Sequence, residues 1–261
     1  MFEGVKLAAA FSGGIICGLY DLKTSDMLDA VAWAMAALGI LLHAYEGYVT
    51  GDWFVLIWCL TVVSIFLAFS LFMYYGGYWG GGDGQMLVAY GALLPFGTDG
   101  SLLFPFFLLL NVFLVGGLYS LLYCSVIIFR DKGLFHSLRD ELRGCKWYFL
   151  GFAGALVLGA VHPVFIVLAL LFLYPPALCF SRFVEENVIR RRIPVSTLKE
   201  GDALGEDVSE AGLKAKPVRG LSREEVDRIR KVRDHVIIVD GVRFIPVFPV
   251  ALLLSLYFPP A

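Results

Sequence analysis

Long apolar runs separated by short polar breaks fill the first two-thirds of the chain, followed by one polar stretch and a final apolar run. A bilayer core about 30 Å thick needs about 20 apolar residues in helix. On that scale the pattern predicts spans over 5–20, 30–48, 53–75, 86–96 and 102–129. The fourth is short and opens directly out of GYWGGGDGQM, residues 77–86. A short helix leaving a glycine-rich loop is expected to line a polar cavity and not to face lipid, where irregular backbone has no hydrogen-bond partners. Residues 147–180 are too long for one span and are broken at His162-Pro163, which predicts a tight hairpin of two short helices.

The polar stretch, 181–243, carries the triplet Arg190-Arg191-Arg192, which suits a headgroup layer. Ser222 and Glu225 have capping-box spacing and predict a short helix over 223–232. After it, VIIV-DG-VRFI reads as a β-hairpin around Asp240-Gly241. The last run, 244–258, contains Pro246 and Pro249 and is long enough to enter a membrane. The fold class is therefore an all-α polytopic membrane protein of six to eight spans, one of them short after a glycine-rich loop. A small mixed α/β cytoplasmic domain precedes the C-terminal helix. The expected organisation is a helical membrane core over 1–180, the small domain over 181–243 and a membrane-associated helix over 244–261.

Composition agrees: 59% of residues are hydrophobic and 17% charged, with a mean hydropathy of +0.76, against about 45–50% and about 25% in soluble proteins. A net charge of −2 without a concentrated basic surface argues against a nucleic-acid partner. Cys17, Cys59, Cys124, Cys145 and Cys179 are scattered with no CxxC pair, so neither structural zinc nor a disulfide framework is expected. The first 20 residues could pass for a signal sequence; with no small-x-small cleavage site before Asp21 they read as a retained span. Lys and Arg set the orientation. Residues 130–146 hold Arg130, Lys132, Arg139, Arg143 and Lys146, whereas the loops around Gly51 and Thr98 hold none. That places 130–146 in the cytoplasm, the N-terminus outside, and the loops at Asp21 and Asp83 together on the cytoplasmic face.

Two lone carboxylates at one membrane face suggest chemistry, since ionisable groups beside a bilayer are costly to keep. Amide hydrolysis needs an activated water and a proton for the leaving nitrogen, and two adjacent carboxyl groups sharing one proton supply both. Gly80, Gly82 and Gly84 around Asp83 permit left-handed backbone and the close approach of a substrate strand.

Gly80-Gly81-Gly82-Asp83 resembles the Gly-x-Gly-Asp motif of the intramembrane aspartyl proteases that include presenilin and the type IV prepilin peptidases. The stretch YDLKTSDMLD, with Asp21, Lys23 and Asp29, resembles the archaeal preflagellin and prepilin peptidase branch. The resemblance implies catalytic Asp21 and Asp83, a possible accessory role for Lys23, no metal and no cofactor. It also implies cleavage of the short charged leader of archaellin and pilin precursors at the cytoplasmic membrane face. Gln85 departs from it, standing where many relatives have Lys; the CxxC pairs of many bacterial prepilin peptidases and the Pro-Ala-Leu tripeptide of presenilins are absent.

Plainer readings compete. Asp21, Asp26 and Asp29 all suit helix caps, Asp83 suits a cap of the fourth helix, and Lys23 suits a snorkelling position. His162 reads as an interfacial turn residue, and His43 with Glu46 as an outer-face pair. The glycine cluster follows a membrane helix and no strand, which excludes a nucleotide loop. Two other classes remain: an ion- or proton-coupled transporter using intramembrane aspartates, and a membrane-anchored scaffold presenting residues 181–243. Archaellin versus pilin, the oligomeric state, and contact between the aspartates at rest are open at this point.

Overall fold

The computed structural model describes residues 2–97, 100–160, 162 and 164–258. Thr98 of the expected polar loop and Pro163 of the expected helix break lie outside them. The chain forms two compact units, Met1–Leu121 with Gly241–Ala261, and Leu122–Asp240.

The first unit is built around a short helix. α1 (Glu3–Thr24), α2 (Asp29–Thr50) and α3 (Phe54–Tyr75) are long, and α4 (Gly81–Leu93) has only 13 residues. At ~1.5 Å per residue α4 alone is shorter than a ~30 Å core, and the chain reaches the level of Trp58, near the opposite end of α3, only through Pro95. α4 does not meet lipid either, since Gly84 and every residue from Met86 to Leu93 are buried. The longer helices make this possible by turning stripes of mostly small residues inward. α1 buries Ala10, Gly13, Gly14, Cys17 and Gly18; α2 buries Ala32, Ala36, Gly39 and Gly47. Small residues let helix axes approach closely where hydrophobic burial gives no drive between helices in lipid. The free carbonyls at the end of α4 are satisfied from α3: Trp58 Nε1 donates to the Pro95 carbonyl at 2.8 Å and Cys59 Sγ to that of Ala92 at 3.5 Å.

α5 (Phe104–Arg130) follows, and outward-facing Leu110, Leu114 and Leu118 are all more than half exposed. Side chains this apolar on an outer surface are those of a helix standing in lipid. α10 (Val247–Tyr257) closes this unit. Pro246 precedes its first turn and Pro249 lies within it, where the missing N–H groups have no intrahelical acceptor to lose.

The second unit begins with amphipathic α6 (Lys132–Arg143), then α7 (Lys146–Gly159) and α8 (Val164–Val184), which pack on each other. The two helices of the expected hairpin pack together, but only α7 is short: α8, with its continuation to Ile189, is of membrane length, a correction to the expected pair of short helices. His162 is a turn residue as expected, its Nδ1 accepting from the Val164 N–H at 3.3 Å. Among the described residues five helices are long and apolar enough to cross a membrane: α1, α2, α3, α5, and α8 with its continuation to Ile189. α4, α7 and α10 are shorter apolar or buried helices. The protein is a mostly helical, multi-pass membrane protein.

A small domain follows α8. β1 (Arg190–Pro194), β2 (Ala203–Leu204), β3 (Lys216–Gly220) and β4 (His235–Val239) form an antiparallel sheet in the order β1-β4-β2-β3. α9 (Arg223–Arg230) packs with it around Leu198, Leu204, Val226, Ile229 and Val236. The capping box forms: the Ser222 N–H donates to Glu225 Oε2 at 2.9 Å and the Glu225 N–H to Ser222 Oγ at 3.4 Å. The hairpin around Asp240-Gly241 does not form. Both edges of β4 are already taken, by β1 and β2, so the segment after Asp240 has no strand to pair with. It runs instead to α1.

Candidate active site

Asp21 sits in the last turn of α1 and is 7% exposed. Its own carbonyl accepts from the N–H of Ser25, which closes the helix in the left-handed region at φ 57°. A β-carbon resists this conformation, so Ser25 is a strained stop held by its surroundings. The surroundings are the returning segment: Arg243 Nε donates to Ser25 Oγ at 2.9 Å and its NH1 to the Leu22 carbonyl at 2.7 Å. A guanidinium on the last carbonyls of a helix also suits the negative end of the helix dipole. Two residues on, the Ile245 N–H donates to Asp21 Oδ2 at 3.2 Å. Gly18 lets this strap pass, since a β-carbon there would meet Pro246 Cα at 3.2 Å.

Asp83 lies in the first turn of α4, where a carboxylate suits the positive helix end. Its Oδ2 accepts from the Gly80 N–H at 3.1 Å. This is half of a capping box; glycine has no side chain to return the bond. Asp83 is half-buried. The expectation that Gly80, Gly82 and Gly84 supply left-handed backbone is corrected: in this stretch only Gly77 does, at φ 74°. The later glycines serve packing. A β-carbon at Gly82 would meet Met27 Sδ at 2.8 Å, and one at Gly84 would meet Ser70 Cβ at 2.9 Å. Ser70 Oγ donates to the Gly84 carbonyl at 3.1 Å, fastening the start of α4 to α3.

These contacts hold the end of α1 beside the start of α4, with the two aspartates within electrostatic range of each other. Met27, just beyond α1, touches the first turn of α4, and the charge of Asp21 acts at Asp83. Seven residues after Asp83, and so on the same face of α4, Tyr90 donates its hydroxyl to the Ala10 carbonyl at 3.0 Å. That bond fixes the rotation of α4 against α1. Beside the site, Trp79 stacks on Phe113 with ring centroids 5.5 Å apart and meets Phe69 and Phe244 at 5.8 Å each. This cluster pins the segment that leads into Gly80.

The structure does not bring every candidate in. Lys23 is exposed in the last turn of α1. Asp26 caps the Met27 N–H at 2.8 Å, and Asp29 begins α2, exposed. His43 and Glu46 belong to a separate polar cluster near the other end of α1, where Lys6 Nζ reaches Glu46 Oε2 at 3.6 Å and also pairs with Glu3. The residues missed in the sequence are Arg243 and Ile245. The only signal for them was a cation inside RFIP, which the hairpin expectation absorbed.

Fold and site define a multi-pass helical membrane protein with two carboxyl groups near the entry of a buried, glycine-entered helix. Comparison with known proteins relates the chain to preflagellin peptidases. It is 34% identical over 85 residues to the preflagellin peptidase of Methanocaldococcus jannaschii, covering 32% of this chain and 35% of that protein. It is 29% identical over 91 residues to that of Methanococcus voltae, covering 35% and 39%. The matched part thus spans little more than a third of the length of either relative. No protein-family model matches the chain.

Proposed function

We propose that this protein is a membrane aspartyl endopeptidase that removes the short charged leader of archaellin- or pilin-type precursors at the cytoplasmic membrane face. The observation that carries this reading is that Asp21 and Asp83, 62 positions apart in the chain, lie within electrostatic range of each other where the last turn of α1 and the first turn of α4 adjoin. The relationship to preflagellin peptidases supports it.

The chemistry follows from two carboxyl groups sharing one proton. The ionised one takes a proton from a water lying between them, and the water oxygen bonds to the scissile carbonyl carbon. The protonated one gives its proton to the peptide nitrogen as the C–N bond breaks. The products are a free carboxylate on the leader and a free amine on the mature chain. The Gly80 N–H on Asp83 and the Ile245 N–H on Asp21 hold each carboxylate by one oxygen and leave the other for the water. Gly80 and Gly81, both exposed, leave the entry of α4 without side chains, so an unwound substrate segment can come close there, while Gly82 and Gly84 seat the turn that carries Asp83. No metal enters the cycle.

The test is incubation of the full-length protein in detergent with a precursor bearing a basic leader and an apolar helix. A product shorter by the leader, lost with either Asp21→Asn or Asp83→Asn in folded protein, is expected. Unchanged cleavage by Asp83→Asn would falsify the proposal.

A further inference from the structure

In the second unit the end of α5, α6 from Phe135 onward and the start of α7 border an open cleft of about 660 Å³. Phe129, Phe135, Leu138, Leu142, Phe149 and Leu150 form its walls, with the rings of Phe129 and Phe135 5.5 Å apart. Arg139, Arg143 and Lys146 complete the lining. Volume and apolar walls fit a ligand of lipid-chain or drug size. The three cations say what kind of head it carries.

These cations are not used up by the protein. Arg139 and Arg143 share one carboxylate oxygen, Asp140 Oδ1, at 3.8 and 2.9 Å, and both side chains are at least half exposed. Lys146 rests over the face of Trp147, 5.4 Å from its centroid, and Trp147 is itself 70% exposed. α6 explains the arrangement. Leu134, Leu138 and Leu142 recur along one face, and Lys132, His136, Arg139 and Arg143 follow one another along the flank beside it, so that leucines and arginines border the same cleft. The helix starts where the apolar run of α5 ends at Arg130. Amphipathic helices that follow a membrane span are suited to the plane of the headgroups, apolar face toward the acyl chains, and α6 has that character.

We propose that this cleft binds one anionic phospholipid, its phosphate among Arg139, Arg143 and Lys146 and an acyl chain along the phenylalanine and leucine walls. A lining with three cations and no carboxylate favours a head with net negative charge. It disfavours a zwitterionic head, whose own cation it would repel. The proposal is independent of the aspartate site and is read without peptidase activity.

The experiment is native mass spectrometry of the full-length protein released from detergent containing equal amounts of phosphatidylglycerol and phosphatidylcholine. One phosphatidylglycerol should be retained at least tenfold over phosphatidylcholine. Arg139→Gln/Arg143→Gln/Lys146→Gln should cut that retention at least tenfold, whereas Arg190→Gln/Arg191→Gln/Arg192→Gln should leave it unchanged. A second measurement uses unaltered charges: brominated phosphatidylglycerol should quench a fluorescence component that Trp147→Phe removes, and brominated phosphatidylcholine should not. Equal retention of the two lipids, or equal quenching by both, would overturn the proposal. So would retention lost with the Arg190 triplet but not with the cleft triplet. A cleft triplet that splits a dimer into monomers and leaves lipid retention intact would assign the surface to a second copy of the chain instead.

Discussion

Asp21 and Asp83 are short side chains, so each can reach only what its own backbone position offers. Asp21 is held by one N–H of a segment 224 positions away in the chain, and Asp83 by the N–H three residues before it. The local bond to Asp83 was legible, because a Gly-rich entry followed by Asp is a pattern of neighbouring residues. The distant bond to Asp21 was not: no local spacing announces that residue 245 will lie on residue 21. Asp21 itself stood out only as a carboxylate at the end of an apolar run. If the pair works as proposed, Asp21→Asn and Asp83→Asn should each lower turnover of a precursor by at least about a thousandfold. The double variant should be little worse, since both belong to one unit. Asp26→Asn, Asp29→Asn and Lys23→Ala should retain activity, because all three side chains are exposed. The pH profile of kcat should be bell-shaped. At low pH both carboxyl groups are protonated and the base is lost; at high pH both are ionised and the acid is lost. A rate that rises monotonically across the range, or that chelators abolish, would contradict a carboxyl pair acting alone.

At the scale of elements, α4 decides the geometry and is also where the sequence was most informative. Its shortness predicted a helix withdrawn from lipid, and it is buried from Gly84 through Leu93 apart from half-buried Gln85. What the sequence did not reveal is the use of its glycines, since a residue needed for close packing and one needed for left-handed backbone look alike in a chain read alone. The distinction can be tested at Gly84. A β-carbon there meets Ser70 Cβ at 2.9 Å, closer than real carbons come, so Gly84→Ala should push the start of α4 away from α3. A cost of about 1–3 kcal/mol is expected from overpacking, with activity falling as Asp83 moves. Adding Ser70→Gly removes the colliding carbon and should recover part of both losses, giving a measurable coupling in a double-mutant cycle. If glycine were needed for backbone freedom, Ser70→Gly would restore nothing. The strap after β4 is the other element that positions the site. Arg243→Ala removes two charge-assisted bonds to the end of α1, each worth about 1.5–3 kcal/mol when buried and less where water competes. Because Arg243 lies two residues before the N–H on Asp21, kcat should fall about 10- to 100-fold. KM for the precursor should change far less. A loss confined to KM would mean that Arg243 meets substrate and does not position Asp21.

At the scale of the whole molecule, the length of apolar runs located α1, α2, α3 and α5, because a bilayer demands about 20 apolar residues whatever the protein does, but it read α8 as short, since its polar continuation to Ile189 lay beyond the apolar run. The strand pairing of the small domain was less accessible. A DG step between two β-prone runs is a good hairpin only when the first strand has a free edge, and that depends on β1 and β2, 36 or more residues earlier for the nearer residues of each. Sidedness rests on a third kind of information, the distribution of Lys and Arg. Five of them fall within 130–146 and none in the expected loop at Gly51. Such asymmetry sets orientation when the loops are short and close to the helix ends, as α6 is to α5 and α7. The proposal therefore expects α6 and the small sheet domain on the same side as the carboxyl pair, facing the cytoplasm, where a precursor still carrying its basic leader is found. In a cysteine-free background, single cysteines at Ser137 and Glu224 should resist a membrane-impermeant maleimide added outside intact cells and react after permeabilisation. A cysteine at Gly51 should react from outside at once. Reaction of the first two in intact cells would invert the topology and put the carboxyl pair on the wrong face for leader removal, whatever its activity in detergent.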